Sequence, residues 1–133
     1  MTTFPFDRAY PTTRLRRTRR WSWTRDLVQE TTLSPQHLIW PIFLVEGNTQ
    51  RVPVASMPGV ERMSVDLAVQ AAKEAVSLGI SALALFPVVP AERKSEDARE
   101  AYRPDNLICQ ATRAIRQAVG DKLGIVCDVA LDP

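Results

Sequence analysis

The chemistry open to this chain rests on few side chains: three lysines, one histidine, two cysteines and an aspartate pair at positions 128 and 132. A lysine attacks a carbonyl as a Schiff-base amine only when burial or neighbouring cations lower its pKa. Lys73 falls in the polar stripe of a predicted helix, Lys94 follows Arg93 in a charged loop, and Lys122 precedes the last predicted strand. Charge-rich faces are usually solvated, so none of the three is read as a catalytic amine. No triad or metal cluster can be assembled around His37, and a helix-end or core role is expected for it. Cys109 and Cys127 lack a CxxC spacing and lie in apolar surroundings, as reduced core thiols of a cytoplasmic protein do. Cys127, inside a predicted strand, is expected to be buried rather than nucleophilic. Asp128 and Asp132 end that strand. Their functional reading is a carboxylate that binds a metal or a substrate amine, and the plain alternative is an aspartate that caps the following turn.

A second chemistry-bearing group lies near the N-terminus. Arg14, Arg16, Arg17, Arg19 and Arg20 precede Trp21 and Trp23. Arginines interleaved with aromatics can hold single-stranded nucleic acid; they can equally form an arm that docks on an acidic protein surface. Residues 1–25 carry seven arginines against Asp7 and Asp26 lies just outside, so the segment is +6 and the remainder is −4 within a net charge of +2. That split favours the arm. The N-terminus has no basic segment followed by an apolar one, so no secretory signal is read, and no apolar run approaches the ~20 residues of a membrane span. At 45% hydrophobic and 24% charged, the chain is composed like a globular protein.

The elements that must position these residues alternate. Residues 1–23 have no sustained period and read as an extended arm, after which Thr24 is placed to cap a short helix reaching about Glu30. Leu38 to Val45 is an apolar strand, although Pro41 gives no ladder donor and calls for an edge position or a bulge. Residues 46–63 form a long connection with a turn at Pro58-Gly59 and room for a small hairpin. Ser64 caps a helix whose buried stripe is Val65, Ala68, Val69, Ala72 and Val76, ended by Gly79. Ile80 to Phe86 is a second strand, stopped by Pro87. A charged loop runs from 87 to 104, long enough to line a site or contact another subunit. A helix over about 105–119 then buries Ile108, Ala111, Ile115 and Ala118, with Asn106, Gln110, Arg113 and Gln117 facing water. Leu123 to Val129 is the third strand. The order β-α-β-α-β predicts a parallel sheet with right-handed crossovers, either doubly wound or part of a (β/α)8 barrel. The connection after the first strand, Glu46-Gly47-Asn48-Thr49-Gln50, is far from a GxGxxG phosphate loop, so the nucleotide-binding version loses support.

Three stretches carry a resemblance to the aminolevulinate dehydratase (porphobilinogen synthase) family. They are Ser56-Met57-Pro58-Gly59-Val60 with Arg62 and Ser64, Leu78-Gly79-Ile80 with Ala84-Leu85-Phe86-Pro87-Val88, and Asp128-Val129-Ala130-Leu131-Asp132-Pro133. Shorter matches, among them Arg14-Leu15-Arg16-Arg17, Val45-Glu46-Gly47 and Glu100-Ala101-Tyr102, occur in family order along nearly the whole chain. The resemblance implies the N-terminal part of a (β/α)8 TIM barrel with an N-terminal arm: residues 1–33 as basic arm with a short helix, and 34–133 as the first three strands and two main helices. A whole barrel takes ~250 residues. It also implies a lyase that condenses two 5-aminolevulinate molecules to porphobilinogen in tetrapyrrole (heme) synthesis. Its two Schiff-base lysines are expected beyond Pro133, so the chain by itself is expected to be inactive.

The same resemblance bears on metal and partners. Zinc-dependent members place cysteines in the segment that opens at Asp128, and the two matching positions here are Ala130 and Asp132. A thiolate zinc site is therefore not expected. Independence of that zinc, or use of Mg²⁺ with its preference for oxygen ligands, is. Asp128, Asp132 and Phe86 sit at the ends of strands on the face where barrels keep their active sites. Asp132 is the candidate metal ligand, and Phe86 is read as an apolar pocket wall. A homo-octamer joined through the arm is implied, with no membrane partner. Two other readings remain at this point: a non-catalytic module that binds full-length subunits through its arm and open sheet edge, and a nucleic-acid-binding α/β domain.

Overall fold

A computed structural model describes residues 10, 11, 13–128, 130 and 131, so the expectation placed on Asp132 lies outside the described residues. The chain divides into two compact units, Met1–Leu33 and Ser34–Pro133. In the first, a 3-10 turn at Arg17–Arg19 precedes helix α1, Ser22–Leu27, and neither buries a residue. The chain at 17–19 is thus a turn rather than extended. Thr24 does not stand at the N-cap as expected. It sits inside the first turn, where its hydroxyl donates to the Trp21 carbonyl at 2.8 Å and accepts from the Trp21 N–H at 3.3 Å. A Thr hydroxyl reaches back to the preceding turn because β-branching leaves it few other rotamers.

The second unit is one five-stranded sheet with helices. Its strands are β1 (Ile39–Leu44), β2 (Arg51–Pro53), β3 (Glu61–Met63), β4 (Ala82–Pro87) and β5 (Gly124–Cys127). Their spatial order is β2-β3-β1-β4-β5. β1 pairs parallel with β4 along its whole length, Ile39 opposite Ala82 through Leu44 opposite Pro87, and β4 pairs parallel with β5. β2 and β3 form the small antiparallel hairpin in the long connection, and β3 touches β1 only at Phe43 and Leu44. That short overlap resolves Pro41. The Leu44 carbonyl accepts from Val88 on the β4 side and the Val45 N–H donates to Met63 on the other. By alternation Pro41 faces the flank that β3 does not reach, so its missing donor leaves no gap in a ladder.

Helices α2 (Val65–Leu78) and α4 (Leu107–Val119) are the two crossovers, and a one-turn helix α3 (Arg99–Tyr102) lies in the long loop. Sequential strands β1, β4 and β5 lie side by side in one direction, and α2 and α4 pack on each other and on the same sheet face. A doubly wound sheet reverses its strand order and covers both faces. The present arrangement winds one way only, as a barrel does.

The core follows from that choice. Ile42, Leu44, Leu83, Leu85 and Leu123 are almost inaccessible, and Ala68, Ala71, Ala72 and Ala75 of α2 close on them with Ala111 and Ile115 of α4. The valines expected to line α2, Val65, Val69 and Val76, flank this contact rather than fill it. Small alanines let the helix axis approach the sheet and α4 closely. In α4 the buried row is Leu107, Ala111, Ile115 and Val119; Ala118 is exposed and Ile108 half-buried, a correction of the expected stripe. A row at four-residue steps inclines to the helix axis, as two helices that cross require.

Among the described residues of this unit, no helix covers the opposite sheet face. Ile39, Phe86 and Val126 there are 57%, 38% and 49% exposed. The strands are therefore buried on one face in this stretch, not on both as their unbroken apolar runs suggest. The contrast is testable by urea unfolding. Leu85→Ala should cost about 2–5 kcal/mol wherever the stretch folds. Val126→Ala should cost under about 1 kcal/mol in the 133-residue chain and rise toward the Leu85 value in a polypeptide that closes the barrel.

Candidate functional site

Parallel strands bring their C-terminal ends together, and with them Val45-Glu46, Phe86-Pro87-Val88 and Cys127-Asp128. A cavity of about 260 Å³ opens at this end. Phe86, Pro87, Val88, Leu107 and Ile108 form its apolar wall, and Glu46, Arg93, Glu100, Asn106 and Asp128 its polar rim. The Phe86 ring packs on Phe43 at 5.7 Å between centroids, tilted by 31°. Phe86 thus gives the cavity an apolar wall beside the carboxylates, and Phe43 backs it.

The local sequence explains how the rim is held. Asn106 is the N-cap of α4: its side-chain oxygen accepts from the Cys109 N–H at 2.9 Å, and its amide donates to the carbonyls of Glu100 and Ala101. One buried amide thus joins α3 to α4, which corrects the expectation that Asn106 faces water. Arg93 meets the carboxylate of Glu46 through both terminal nitrogens, one of them at 2.9 Å. Glu100 lies between Arg93 at 3.8 Å and Arg103 at 3.0 Å. Loop 87–104 therefore lines the mouth of the cavity.

The connection after β1 is fixed from the other side. The Ser64 hydroxyl, fully buried, accepts from the Gln50 N–H at 3.0 Å and donates to Asp66 at 2.5 Å. The Asp66 carboxylate also accepts from the Thr49 N–H at 3.1 Å. Ser64 caps α2 by position, yet its side chain serves this tether rather than a helix N–H. The Ser64 hydroxyl, and after it the Thr49 N–H and the amides of the first turn, hold the Asp66 carboxyl below its ordinary 3.8. Such hydrogen bonds favour the charged form.

Of the residues that sequence reading singled out, Asp128 and Phe86 share the cavity, as does the methyl of Ala130. Asp128 is exposed. Lys73, Lys94 and Lys122 are all exposed, in keeping with their reading as solvated amines. Lys122 stands in a 3-10 turn ahead of β5, at the sheet end remote from the cavity. His37 accepts from the Ser34 N–H through Nδ1 at 3.4 Å at the end of a 3-10 turn. Cys127 is exposed rather than buried, its Sγ 3.7 Å from the Thr112 hydroxyl, because the strand end has no neighbour beyond it in this stretch. Cys109 is half-buried. Glu46, Arg93, Glu100 and Asn106 were not singled out. Their only signal was the family-like context of Val45-Glu46-Gly47 and Glu100-Ala101-Tyr102, which named no partner.

The family model described as delta-aminolevulinic acid dehydratase matches residues 12–133. The chain belongs to this family. A Bradyrhizobium diazoefficiens delta-aminolevulinic acid dehydratase is 49% identical over 120 residues, covering 90% of this chain and 34% of the relative. A Rhodobacter capsulatus dehydratase is 41% identical over 124 residues, 93% of this chain and 37% of its own length. The crystal structure of the Toxoplasma gondii ME49 delta-aminolevulinic acid dehydratase (porphobilinogen synthase) in complex with the reaction product porphobilinogen matches at TM-score 0.80 and 42% identity. That match covers 90% of this chain and 33% of the other. The chain thus spans about a third of the length of the dehydratases it matches, and its sheet is the N-terminal part of a (β/α)8 barrel.

The Asp66 tether makes a pH prediction. A carboxyl with a lowered folded-state pKa contributes stability that is complete above its unfolded value and fades as pH falls through the folded one. Asp66→Asn should therefore destabilise the fold near neutral pH, and the gap from the parent should close below pH 3.8, read from urea midpoints across that range.

Proposed function

We propose that this stretch is the entry part of a porphobilinogen synthase, which joins two 5-aminolevulinate molecules into porphobilinogen with loss of water. The single observation that carries the reading is the colinear match of residues 12–133 to the dehydratase family, with the product-bound Toxoplasma structure sharing 42% identity and the fold. The chain's own residues give each part a task. The Phe86 ring, which lines the cavity, would pack on the aliphatic part of a substrate, and Asp128 would face its ammonium group. The Schiff-base amines would come from elsewhere in the polypeptide, since all three lysines here are solvated.

On metal, we read the segment at Asp128 as unfit for a thiolate zinc site. Ala130 has no donor atom, and among the described residues no group of three or more His, Cys, Asp or Glu could hold a metal ion. No step is assigned to such a zinc. An oxygen ligand at Asp132, suited to Mg²⁺, or metal independence, is the proposal for the whole enzyme. Assembly into a homo-octamer through residues 1–33 and a cytoplasmic location belong to the same reading. No helix among the described residues is long and apolar enough to cross a membrane. Within the arm, Trp21 and Trp23 stack on each other at 6.2 Å and Arg20 lies 4.5 Å over Trp21.

The uncovered sheet face supports one second reading, a non-catalytic module that pairs with full-length subunits. The reading frame after codon 133 separates the two: a continuing frame that encodes later lysines supports the synthase, and a stop in a verified transcript supports the module. The 133-residue chain incubated with 5-aminolevulinate should form no porphobilinogen above background. A gene carrying this stretch with its in-frame continuation should restore growth without added porphobilinogen to a strain lacking the synthase. Failure there overturns the catalytic reading. Activity of that enzyme should also survive a thiol-competing zinc chelator such as 1,10-phenanthroline; loss of activity, restored by added zinc, would refute the metal reading.

A further inference from the structure

We infer that the alternating charges Glu46, Arg93, Glu100 and Arg103 form a latch that holds loop 87–104 down over the cavity mouth, with Arg93 as its positioning residue. This deepens the synthase reading and rests on it for its catalytic consequence, though not for the latch itself. The loop is organised mainly within itself. Ser95 Oγ accepts from the Arg99 N–H at 3.2 Å, Asp97 pairs with Arg99 at 3.1 Å, and Asn106 carries α3 on the start of α4. Toward β1, the described polar ties are two: the Val88 N–H to the Leu44 carbonyl at the loop's first residues, and Arg93 to Glu46. Beyond Val88, then, one guanidinium bridges two segments 47 residues apart in sequence, at the rim of the cavity.

Isolated surface ion pairs hold little, because water screens them and two long side chains must be ordered. The present group departs from that case in two ways. The Arg93–Glu46 contact is bidentate, which fixes both planes. Glu100, whose side chain is only 12% exposed, is shared by Arg93 and Arg103, so one ordered carboxylate serves two cations. The loop also contains Ala98 at φ 50°, a left-handed conformation that a Cβ disfavours, immediately before α3. A strained joint next to a charged tether gives the loop a place to open and a contact that opposes opening. Because the same loop lines the cavity, releasing the tether widens the mouth while leaving Phe86 and Asp128 on their strand ends.

Amide hydrogen exchange on the polypeptide that carries this stretch tests the latch without using activity. Arg93→Gln should speed exchange of amides 89–103 by roughly two- to fivefold, the upper part of the range for one exposed ion pair in a local opening, and leave α2 unchanged. The charge-swapped pair Glu46→Arg with Arg93→Glu should restore part of the protection. Unchanged loop exchange in Arg93→Gln overturns the latch, as does a swapped pair no better protected than either single variant. Should Arg93→Gln also deprotect α2, Arg93→Lys decides: an intermediate rise confined to the loop supports the bidentate tie, and parental protection refutes it. In the active enzyme, Arg93→Gln should raise KM for 5-aminolevulinate severalfold with kcat nearly kept. A loosened loop with unaltered KM overturns the gating role. An inactive parent sinks the synthase reading alone, since the exchange result stands without it.

Discussion

The packing of α2 and α4 together on one face of the β1-β4-β5 sheet is the constraint on which the rest depends. Strands β1, β4 and β5 follow one another in the same direction, and crossovers of one hand between such strands land both helices on one side. The alanine row at 68, 71, 72 and 75 makes that landing close, and it seals Leu83 and Leu85 completely. Once the helices take one face, the other is left to the interior of a closed barrel. The strand ends then converge on a single mouth.

The mouth inherits its properties from that geometry. Parallel strands in register place Glu46, Phe86 and Asp128 at one end of the sheet although they are far apart in sequence. The loops that follow the strands are free to carry charge, because their backbone is wet. Two of them are secured by different devices. The connection after β1 is held from below by the buried Ser64 hydroxyl and Asp66, and loop 87–104 is held across the rim by Arg93. The cavity between them has an apolar wall under a charged rim.

Family membership and geometry constrain different things. Membership rests on residues 12–133, which span about a third of the dehydratase length. The local chemistry is decided here. The three lysines are exposed, and the Ala130 side chain carries no donor atom. The apolar inner face, half exposed at Ile39 and Val126, calls for further strands to cover it.

The sequence by itself determined the elements, their order and the family, since helix stripes, apolar strand runs and capping residues are local signals. It placed the three lysines in water and Phe86 and Asp128 at strand ends. Periodicity alone left a doubly wound sheet and a barrel open, because it does not say on which face a crossover helix lands; the family resemblance pointed to the barrel. The sequence took Cys127 for a buried thiol and the Asn106 amide for a wet one, because burial depends on what neighbours a strand end or a helix start. It gave Glu46 and Arg93 no role in the site. An ion pair between residues 47 apart exists only when the fold brings a strand end and a loop within reach, and no spacing along the chain announces it.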